Sequence, residues 1–202
     1  MIKTIIFDFG DVFINLDKPA TMREMNKHEI EELSESLLNI NQKYEKGLIS
    51  SEEFVKSYQS EYTQLQEEHF KNSWNAILVD FPEYRYQFLK KISEEKNYQL
   101  ILLSNTNEIH IDWVKENVPF FEDFKACFDA FYLSHEINFR KPDAEIYEFV
   151  LKQHGLKPQE CLFIDDTKEN TDAAEDLGIH TWNIEPTRED VIDLFTAKKE
   201  LF

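Results

Sequence analysis

The sequence predicts an α/β fold in which a doubly wound parallel sheet carries a small all-helical cap inserted after the first strand. Two observations predict the sheet: short apolar runs alternate with helical patterns, and these runs lack the polar alternation of half-exposed strands. A third predicts the insertion, because no strand-like run occurs between residues 17 and 79. A hydrophobic content of 42% in 202 residues is sufficient for a packed core of this kind.

The first strand is the apolar run that ends at Phe7. Ile5, Ile6 and Phe7 are typical of a parallel strand buried on both faces, and Asp8 follows them directly. In an open parallel sheet, ligands bind beyond the carboxyl ends of the strands, and a buried acid is costly unless it is paired or used. Asp8 is therefore the first candidate for chemistry, although an acid at such a place also caps turns in many proteins.

The segment after the first strand is predicted to be helical throughout. Ser50 with Glu53 and Thr63 with Gln66 have the spacing of capping boxes, which mark helix starts. The helical pattern covers residues 22–38, 41–46, 51–62 and 66–78. Inserted at this point, the helices are expected to lie over the carboxyl end of the first strand as a lid.

After this segment the alternation of strands and helices returns, which indicates a parallel sheet covered on both faces. Further strands are predicted at residues 98–103, 130–133, 161–164 and 179–183, and helices at 84–94, 109–117, 144–154 and 170–177. Residues 1–15 and 84–202 are accordingly predicted to form the α/β core, and residues 16–83 the helical cap.

The net charge of −18 limits the partners of the protein. Binding a nucleic acid requires clustered Lys and Arg, and anionic membranes attract basic segments, so neither partner is expected. A small anionic substrate is compatible with this charge if a metal ion and a lysine lie in the pocket. The apolar N-terminal run is too short for a bilayer and lacks a cleavage site, so a cytoplasmic location is expected. The sequence makes no prediction of the oligomeric state.

Three later stretches place polar side chains after further predicted strands. Ser104 and Asn105 follow the second strand, where a hydroxyl and backbone amides hold phosphate oxygens or cap a helix. Lys141 follows the third strand and precedes a proline that is expected to start the next helix, and this lysine can neutralise a carboxylate and a phosphate. Asp165 and Asp166 follow the fourth strand, and such adjacent carboxylates suit Mg²⁺. Because the carboxyl ends of parallel strands share one edge, these side chains are predicted to converge with the acid of the first strand.

With these motifs in order, the chain resembles the haloacid dehalogenase (HAD) superfamily, in the branch with a helical C1-type cap between the first two motifs. The resemblance covers nearly the whole chain and rests on Asp8-Phe9-Gly10, Ser104-Asn105, Lys141 and Asp165-Asp166. The stretches Leu-Ser-Asn-Thr-Asn, Tyr-Leu-Ser and Arg-Lys-Pro-Asp-Ala-Glu-Ile-Tyr are most similar to the bacterial α-D-glucose-1-phosphate phosphatase group. The resemblance implies a Mg²⁺-dependent phosphatase acting on a small phosphorylated metabolite, with sugar phosphates such as hexose 1-phosphates first.

The resemblance also implies a role for each motif residue. Asp8 would be the catalytic nucleophile and form an aspartyl-phosphate that water hydrolyses. Asp8, the backbone carbonyl of Gly10 and Asp166 would bind Mg²⁺, with Asp165 as a direct or water-mediated support. The transferring phosphoryl oxygens would be held by Ser104, the amide of Asn105 and the catalytic Lys141.

Gly10 departs from the superfamily pattern, which places a second Asp two residues after the nucleophile as general acid. The metal ligand is a backbone carbonyl and is retained, whereas the acid side chain is missing. The glucose-1-phosphate phosphatase group is similar in having glycine there, and a sugar 1-phosphate leaves as a weakly basic hemiacetal oxygen that depends less on protonation. Asp11 is the alternative acid, although the next residue along a turn usually points elsewhere.

Two alternative functions compete with the phosphatase. A 2-haloacid dehalogenase uses the same nucleophile without metal, and the paired carboxylates after the fourth strand speak against it. A regulatory protein with impaired catalysis, owing to Gly10, would bind phosphate and metal without turnover. In the cap, Glu45 and Trp74 with neighbouring aromatic residues are candidates for the leaving-group pocket. His110, shortly after the second motif, is an alternative contact for the substrate, although a surface position on a capped helix is expected.

Overall fold

A computed structural model describes all 202 residues of the protein, and its centre is a five-stranded sheet in the order β3-β2-β1-β4-β5. All four neighbouring pairs are parallel. The strands are β1 (Thr4–Phe7), β2 (Gln99–Ser104), β3 (Ala130–Leu133), β4 (Cys161–Asp165) and β5 (His180–Asn183). The predicted parallel sheet is confirmed, and the four later strands lie within one residue of their predicted bounds.

Eleven α-helices accompany the sheet, and the first four of the five between β1 and β2 lie in the segment predicted to be the cap. These four are α1 (Ala20–Asn26), α2 (Glu35–Glu45), α3 (Ser51–Glu61) and α4 (Glu67–Asn75). The others are α5 (Glu83–Glu95), α6 (Glu108–Asn117), α7 (Phe121–Lys125), α8 (Ser134–Ile137), α9 (Ala144–His154), α10 (Lys168–Asp176) and α11 (Leu194–Ala197). None of them combines the length and apolar character that crossing a bilayer requires.

Helices cover both faces of the sheet, and β1 shows how. Ile5 and Phe7 pack into one cluster with α5, α6, α7 and α11, whereas Ile6 packs into another with α9 and α10. Successive residues of a strand point to opposite faces, so a strand between two helical layers is apolar at every position. This arrangement confirms the doubly wound fold and explains the continuous apolar run that predicted it.

The helices α1 to α4 bury a third cluster of their own. Phe54, Tyr58 and Phe70 are completely buried in it, and the ring of Phe54 stacks on Tyr44 with centroids 4.0 Å apart. Ile109 of α6 also belongs to this cluster, so the four helices pack on the sheet layer through α6. The helical character of the segment agrees with the sequence, while its division from the core at residues 16–83 stays a prediction.

The predicted single helix over residues 22–38 is wrong, because α1 ends at Asn26 and α2 begins after Ser34. The hydroxyl of Ser34 accepts a hydrogen bond from the backbone N–H of Leu37, which is a favourable N-cap. Between the two helices, Glu29 has a φ of 63°, and a residue in the left-handed region interrupts a right-handed helix. The separate helix predicted at 41–46 is the second half of α2.

Only one of the two predicted capping boxes forms. Ser50 and Glu53 exchange both hydrogen bonds of the box at the start of α3. The spacing of Thr63 and Gln66 misled the prediction, since Gln66 itself is the N-cap of α4 and makes no side-chain cap bond.

Candidate functional site

Lys141 joins two carboxylates that follow neighbouring strands. Its Nζ donates to Oδ1 of Asp8 at 2.8 Å and to Oδ2 of Asp165 at 2.6 Å. All three side chains are buried, and the ammonium group lies 5.3 Å from the ring centre of Phe163. Buried charges are tolerated only in paired and hydrogen-bonded form. The lysine therefore allows the two acids to lie side by side at the carboxyl end of β1 and β4.

Asp165 is the most constrained of these residues. Its Oδ1 accepts from the backbone N–H of Thr167 at 2.8 Å, and both of its oxygens are 3.1 Å from Nδ2 of Asn170. Together with Lys141, these donors engage the whole carboxylate. Because a fully hydrogen-bonded group cannot turn, Asp165 fixes the ammonium of Lys141 against Asp8.

Asn105 holds the backbone of Lys141 from the other side. Its Nδ2 donates to the Lys141 carbonyl at 2.8 Å, and its Oδ1 accepts from the Lys141 N–H at 2.9 Å. The sequence assigned only the backbone amide of Asn105 to the site and missed this side-chain contact. The prediction that Pro142 starts a helix is wrong: the Lys141–Pro142 peptide is cis, and α9 begins at Ala144.

Asp166 lies at the open side of the cluster and has a partner that the sequence did not predict. Lys18, in the segment that leads from β1 into α1, contacts Oδ2 of Asp166 and lies 3.2 Å from Oδ2 of Asp11. The other oxygen of Asp11 accepts from the backbone N–H of Leu16 at 2.9 Å. Both oxygens of Asp11 are thus engaged, and its role as the alternative general acid stays a prediction.

The donor set fits a divalent cation. One carboxylate oxygen from each of Asp8, Asp165 and Asp166 lies within 4.8 Å of the others, at the end of the sheet where Gly10 also turns. Oxygen ligands are those that Mg²⁺ prefers, and it needs only one or two carboxylates because it keeps several waters. Asp8, Asp165 and Asp166 are thus brought together as candidate ligands, while the predicted role of the Gly10 carbonyl stays a prediction.

Burial controls the protonation of the cluster. It raises the pKa of Asp8 above its ordinary value of 3.8, and the positive charge of Lys141 opposes that shift. Burial likewise raises the pKa of Asp166, against the effect of Lys18. Burial alone would lower the pKa of Lys141, but the charges of Asp165 and Asp8 raise it above its ordinary value. Buried carboxylates with raised pKa values are the groups that a further cation would stabilise in their ionised form.

Gly10 leaves no room for the second acid of the superfamily pattern without a rearrangement. A Cβ atom at this position would lie 2.8 Å from Cδ1 of Leu16 and 3.9 Å from Oδ2 of Asp8. The leucine side chain therefore occupies the space in which an acid side chain would begin.

A cavity of about 210 Å³ adjoins the cluster and extends between the helices α1, α2, α4 and α6. Its inner end is formed by Phe9 and Gly10, directly after the nucleophile candidate, and by Ser104 and Asn105. The remainder is lined by Ile14, Leu16, Thr21, Glu45, Trp74, Ile77, Leu78, Thr106, Asn107, His110, Ile111 and Val114. The predicted phosphate-binding residues of β2 and the predicted cap residues Glu45 and Trp74 thus share one small, half-apolar chamber.

His110 lines this cavity, so the prediction of a surface position is wrong. Its ring stacks on Trp74 with centroids 5.6 Å apart, and its Nε2 lies 3.1 Å from the Trp74 carbonyl. A carbonyl only accepts, so Nε2 carries the proton, and Nδ1 accepts from Nδ2 of Asn107 at 3.0 Å. Burial lowers the pKa of His110 to about 4, which keeps the ring neutral. Both nitrogens are occupied, and the side chain ties α4 to α6.

A contact between α2 and the segment that carries Lys141 was also missed in the sequence analysis. Nε of Arg140 donates to Oε2 of Glu45 at 2.9 Å, which places a carboxylate of α2 beside the loop of the catalytic lysine candidate. The only hint in the sequence was the position of Arg140 immediately before Lys141. Nothing local in the sequence indicates a partner 95 residues away.

Comparison with known proteins identifies the family. A family model for haloacid dehalogenase-like hydrolases matches residues 2–178. Because the match covers most of the sequence, the chain belongs to the haloacid dehalogenase-like hydrolase family.

Particular relatives narrow the class of enzyme. The chain is 29% identical over 197 residues to a D-ribitol-5-phosphate phosphatase of Bacteroides thetaiotaomicron, which covers 92% of this chain and 93% of that protein. A HAD family enzyme of the same organism, crystallised as a magnesium complex, has a TM-score of 0.86 at 35% identity over 96% of this chain and 98% of that one. Its complex with magnesium and inorganic phosphate has a TM-score of 0.85 at 35% identity over 96% and 100% of the two chains. These findings confirm the predicted class, a HAD-type phosphoric monoester hydrolase.

Proposed function

We propose that the protein is a Mg²⁺-dependent phosphatase that hydrolyses the phosphomonoester of a small sugar or polyol through an aspartyl-phosphate on Asp8. The observation that carries the proposal is the placement of Asp8. Its carboxylate is fixed by Lys141 within 4.8 Å of two further acids and directly precedes the residues that form the inner end of the cavity. Relatives that bind magnesium, and magnesium with inorganic phosphate, support the same reading.

In the proposed first step, a carboxylate oxygen of Asp8 attacks phosphorus and the bond from phosphorus to the alcohol oxygen breaks. Ser104, the amide of Asn105 and the ammonium of Lys141 hold the phosphoryl oxygens during the transfer. In the second step, water attacks the acyl phosphate, which releases inorganic phosphate and restores the carboxylate of Asp8. Mg²⁺ bound by the carboxylates and the Gly10 carbonyl would screen the nucleophile from the charge of the substrate and stabilise the transferring group.

We also propose that residues 16–83 act as a cap of the C1 type over a core of residues 1–15 and 84–202. This division is supported by the separate apolar cluster of α1 to α4 and by the cavity between those helices and the end of the sheet. A leaving group bound in the cavity would contact both parts of the protein. The cap would then set substrate specificity, while the core performs the chemistry.

The size of the cavity restricts the substrate. Its volume of about 210 Å³ lies below the range of about 300 to 1,000 Å³ typical of drug-sized ligands. A short polyol or a monosaccharide suits this volume, whereas a nucleoside or a long terpenoid chain does not. Two substrate classes follow as candidates: hexose 1-phosphates, whose leaving oxygen needs little protonation at a site without an acid at Gly10, and alditol phosphates, as in the ribitol-5-phosphate phosphatase.

Phosphate release from a substrate panel tests the proposal. The panel contains hexose 1-phosphates, hexose 6-phosphates, alditol phosphates and nucleotides, with Asp8→Asn as the inactive control and EDTA as the metal control. We expect release from small sugar or alditol phosphates that is lost in both controls. Halide release from a 2-haloacid without phosphate release would instead favour a dehalogenase. Metal and phosphate binding without any turnover would favour the impaired regulatory protein.

A further inference from the structure

Glu45 is the one charged residue among those that line the cavity. It is the last residue of α2, and its carboxylate is about one-third exposed, toward the chamber in which the leaving group is proposed to bind. The other side chains of the lining are apolar or neutral, including His110, whose ring is uncharged for the reason given above. Within the lining itself, the charge is therefore that of this carboxylate.

The hydrogen bonds around Glu45 leave half of its carboxylate available. Oε2 accepts from Nε of Arg140 at 2.9 Å, which holds the group in place. Arg140 itself is not part of the lining, so the guanidinium braces the carboxylate from outside the chamber. Oε1 has no donor from the protein. An oriented carboxylate with one open oxygen is an acceptor for a substrate hydroxyl.

Other polar groups of the chamber are already engaged with one another. Oδ1 of Asn107 accepts from Nε1 of Trp74 at 3.3 Å, and both ring nitrogens of His110 are bonded to these two residues. The hydroxyl of Thr21 lies 3.4 Å from the Trp74 carbonyl. A leaving group thus meets Asn107, His110 and Trp74 groups that are engaged with one another, whereas Oε1 of Glu45 is a charged acceptor with free capacity.

From this arrangement we infer that Glu45, braced by Arg140, determines specificity by binding a hydroxyl of the leaving group and by excluding substrates with a second anionic group. The inference rests on the proposed phosphatase function and names the residue that would select among its substrates. A hydroxyl would satisfy Oε1, whereas a carboxylate or second phosphate in the same place would be repelled by the like charge of Glu45. The substrate is accordingly an alcohol or polyol monophosphate without a further negative charge.

Matched pairs of substrates test the inference. Glycerol 3-phosphate and 3-phosphoglycerate differ only by a hydroxymethyl group in place of a carboxylate, as do ribitol 5-phosphate and 5-phosphoribonate. For the wild type, we expect kcat/KM for the alcohol of each pair to exceed that for the acid by about 100-fold or more. In Glu45→Gln the ratio is expected to fall by about tenfold, because the repulsion is lost, while KM for the alcohol rises.

Two further variants distinguish recognition of the substrate by Glu45 from the effect of weakening the contacts between the cap and the core. Arg140→Gln breaks the same ion pair but leaves the carboxylate in the chamber. The ratio of kcat/KM for the alcohol to that for the acid is therefore expected to rise or stay constant, whereas it falls in Glu45→Gln. Lys46→Met breaks the neighbouring contact to Asp143, which lies outside the cavity, and is expected to leave the ratio unchanged. A ratio that moves in the same direction in all three variants, or in none, overturns the inference.

The same assay distinguishes failure of the inference from failure of the proposed function. If the wild type hydrolyses both members of each pair equally well, the protein is a phosphatase and Glu45 does not select its substrate. If the wild type releases phosphate from neither member nor from any other ester, the proposed function fails and the inference falls with it. Folding of each variant is checked by its thermal unfolding midpoint.

Discussion

Lys141 is the residue on which the charge balance of the site depends. Its ammonium is shared by Asp8 and Asp165, and with 1% exposure it has no access to bulk water. Removing one member of a buried ion cluster leaves the others unpaired, which costs far more than an exposed ion pair contributes. The lysine therefore serves the fold and the proposed chemistry with the same contacts. For that reason Lys141 itself is a poor subject for a test of mechanism.

Asn105 offers a cleaner test, because it positions Lys141 without carrying charge. In Asn105→Ala the two hydrogen bonds to the Lys141 backbone are lost. We expect kcat to fall by about 10- to 100-fold, since small displacements of a catalytic group are costly, with little change in KM. Steady-state kinetics together with urea unfolding measure both effects.

The matched control is Asn138→Gly, which removes another amide that donates to a backbone carbonyl, that of Lys46, at 2.7 Å. Glycine is chosen because Asn138 has a φ of 61°. We expect near-normal kcat for this variant. Equal losses of kcat in the two variants would contradict a special role for Asn105.

The sequence predicted those site residues that can be recognised from their immediate neighbours in the chain. Asp8 and Asp165 each directly follow or end an apolar run, and a polar residue at the end of a buried strand is conspicuous. The side-chain contacts of Asn105, Lys18 and Glu45 could not be found in this way. Their partners lie 36, 148 and 95 residues away, so the pairing exists only after the chain has folded.

At the level of elements, the turn between α2 and α3 packs closely against α8. A Cβ atom at Gly47 would lie 1.9 Å from the backbone oxygen of His135 in α8. The same turn contributes the contact of Lys46 with Asp143, at 2.7 Å. This turn is therefore held next to the loop that carries the catalytic lysine candidate.

Gly47→Ala should push the α2–α3 turn away from α8. The substitution combines a left-handed φ of 63° with a clash against backbone, which cannot yield as a side chain would. We expect the free energy of unfolding to fall by about 3 kcal/mol or more and proteolysis of the α2–α3 turn to accelerate. Urea unfolding and limited proteolysis measure the two effects.

Gly155→Ala is the matched control, because Gly155 has a φ of 62° and no atom within 4 Å of the added Cβ. Only the conformational cost remains there, about 1 kcal/mol. If both variants lose the same stability, the close approach of Gly47 to α8 does not contribute to docking.

Strands were predicted more accurately than the helices between β1 and β2, for a physical reason. A strand buried on both faces is apolar at each position, so its ends coincide with the change to polar residues, as at Asp8. The amphipathic helices α1 and α2 are interrupted by a turn that keeps much of the helical spacing. Only the N-cap at Ser34 and the left-handed residue Glu29 end the periodicity, and neither residue type is rare inside helices.

His110 ties α4 to α6 in its neutral form, which makes this contact sensitive to acid. Burial lowers its pKa from 6.5 to about 4 in the folded protein. Between these values the unfolded chain binds the proton and the folded one does not, so stability falls as the pH falls. We expect the wild type to lose about 1 to 2 kcal/mol at pH 5 through this residue.

Comparison with His110→Gln isolates that contribution, since glutamine can still donate to the Trp74 carbonyl and accept from Asn107. The variant is expected to lose less stability than the wild type between pH 7 and pH 5 in urea unfolding. Identical pH dependence in the two proteins would show that the ring already titrates normally in the folded state.

At the scale of the whole molecule, the net charge of −18 makes the stability of the folded state depend on the ionic strength. Self-repulsion opposes the compact state, and any salt that screens it should raise the unfolding temperature. A specific metal site adds stabilisation of a different kind, because an ion that binds only the folded protein shifts the equilibrium by mass action. The acid cluster of Asp8, Asp165 and Asp166 predicts that Mg²⁺ both screens the net charge and binds the folded protein specifically.

We expect Mg²⁺ to raise the unfolding midpoint further than NaCl at the same ionic strength. At a hundredfold excess over its dissociation constant, the ion contributes about 2.7 kcal/mol, which corresponds to about 5 to 10 °C for a chain of this size. The excess over NaCl measures binding, since screening is common to both salts. Asp166→Asn should lose most of this excess, because it removes the carboxylate at the open side of the cluster, yet keep its response to NaCl. If Mg²⁺ and NaCl stabilise the wild type equally, or if the excess survives in Asp166→Asn, the divalent ion binds elsewhere or only as a screening charge.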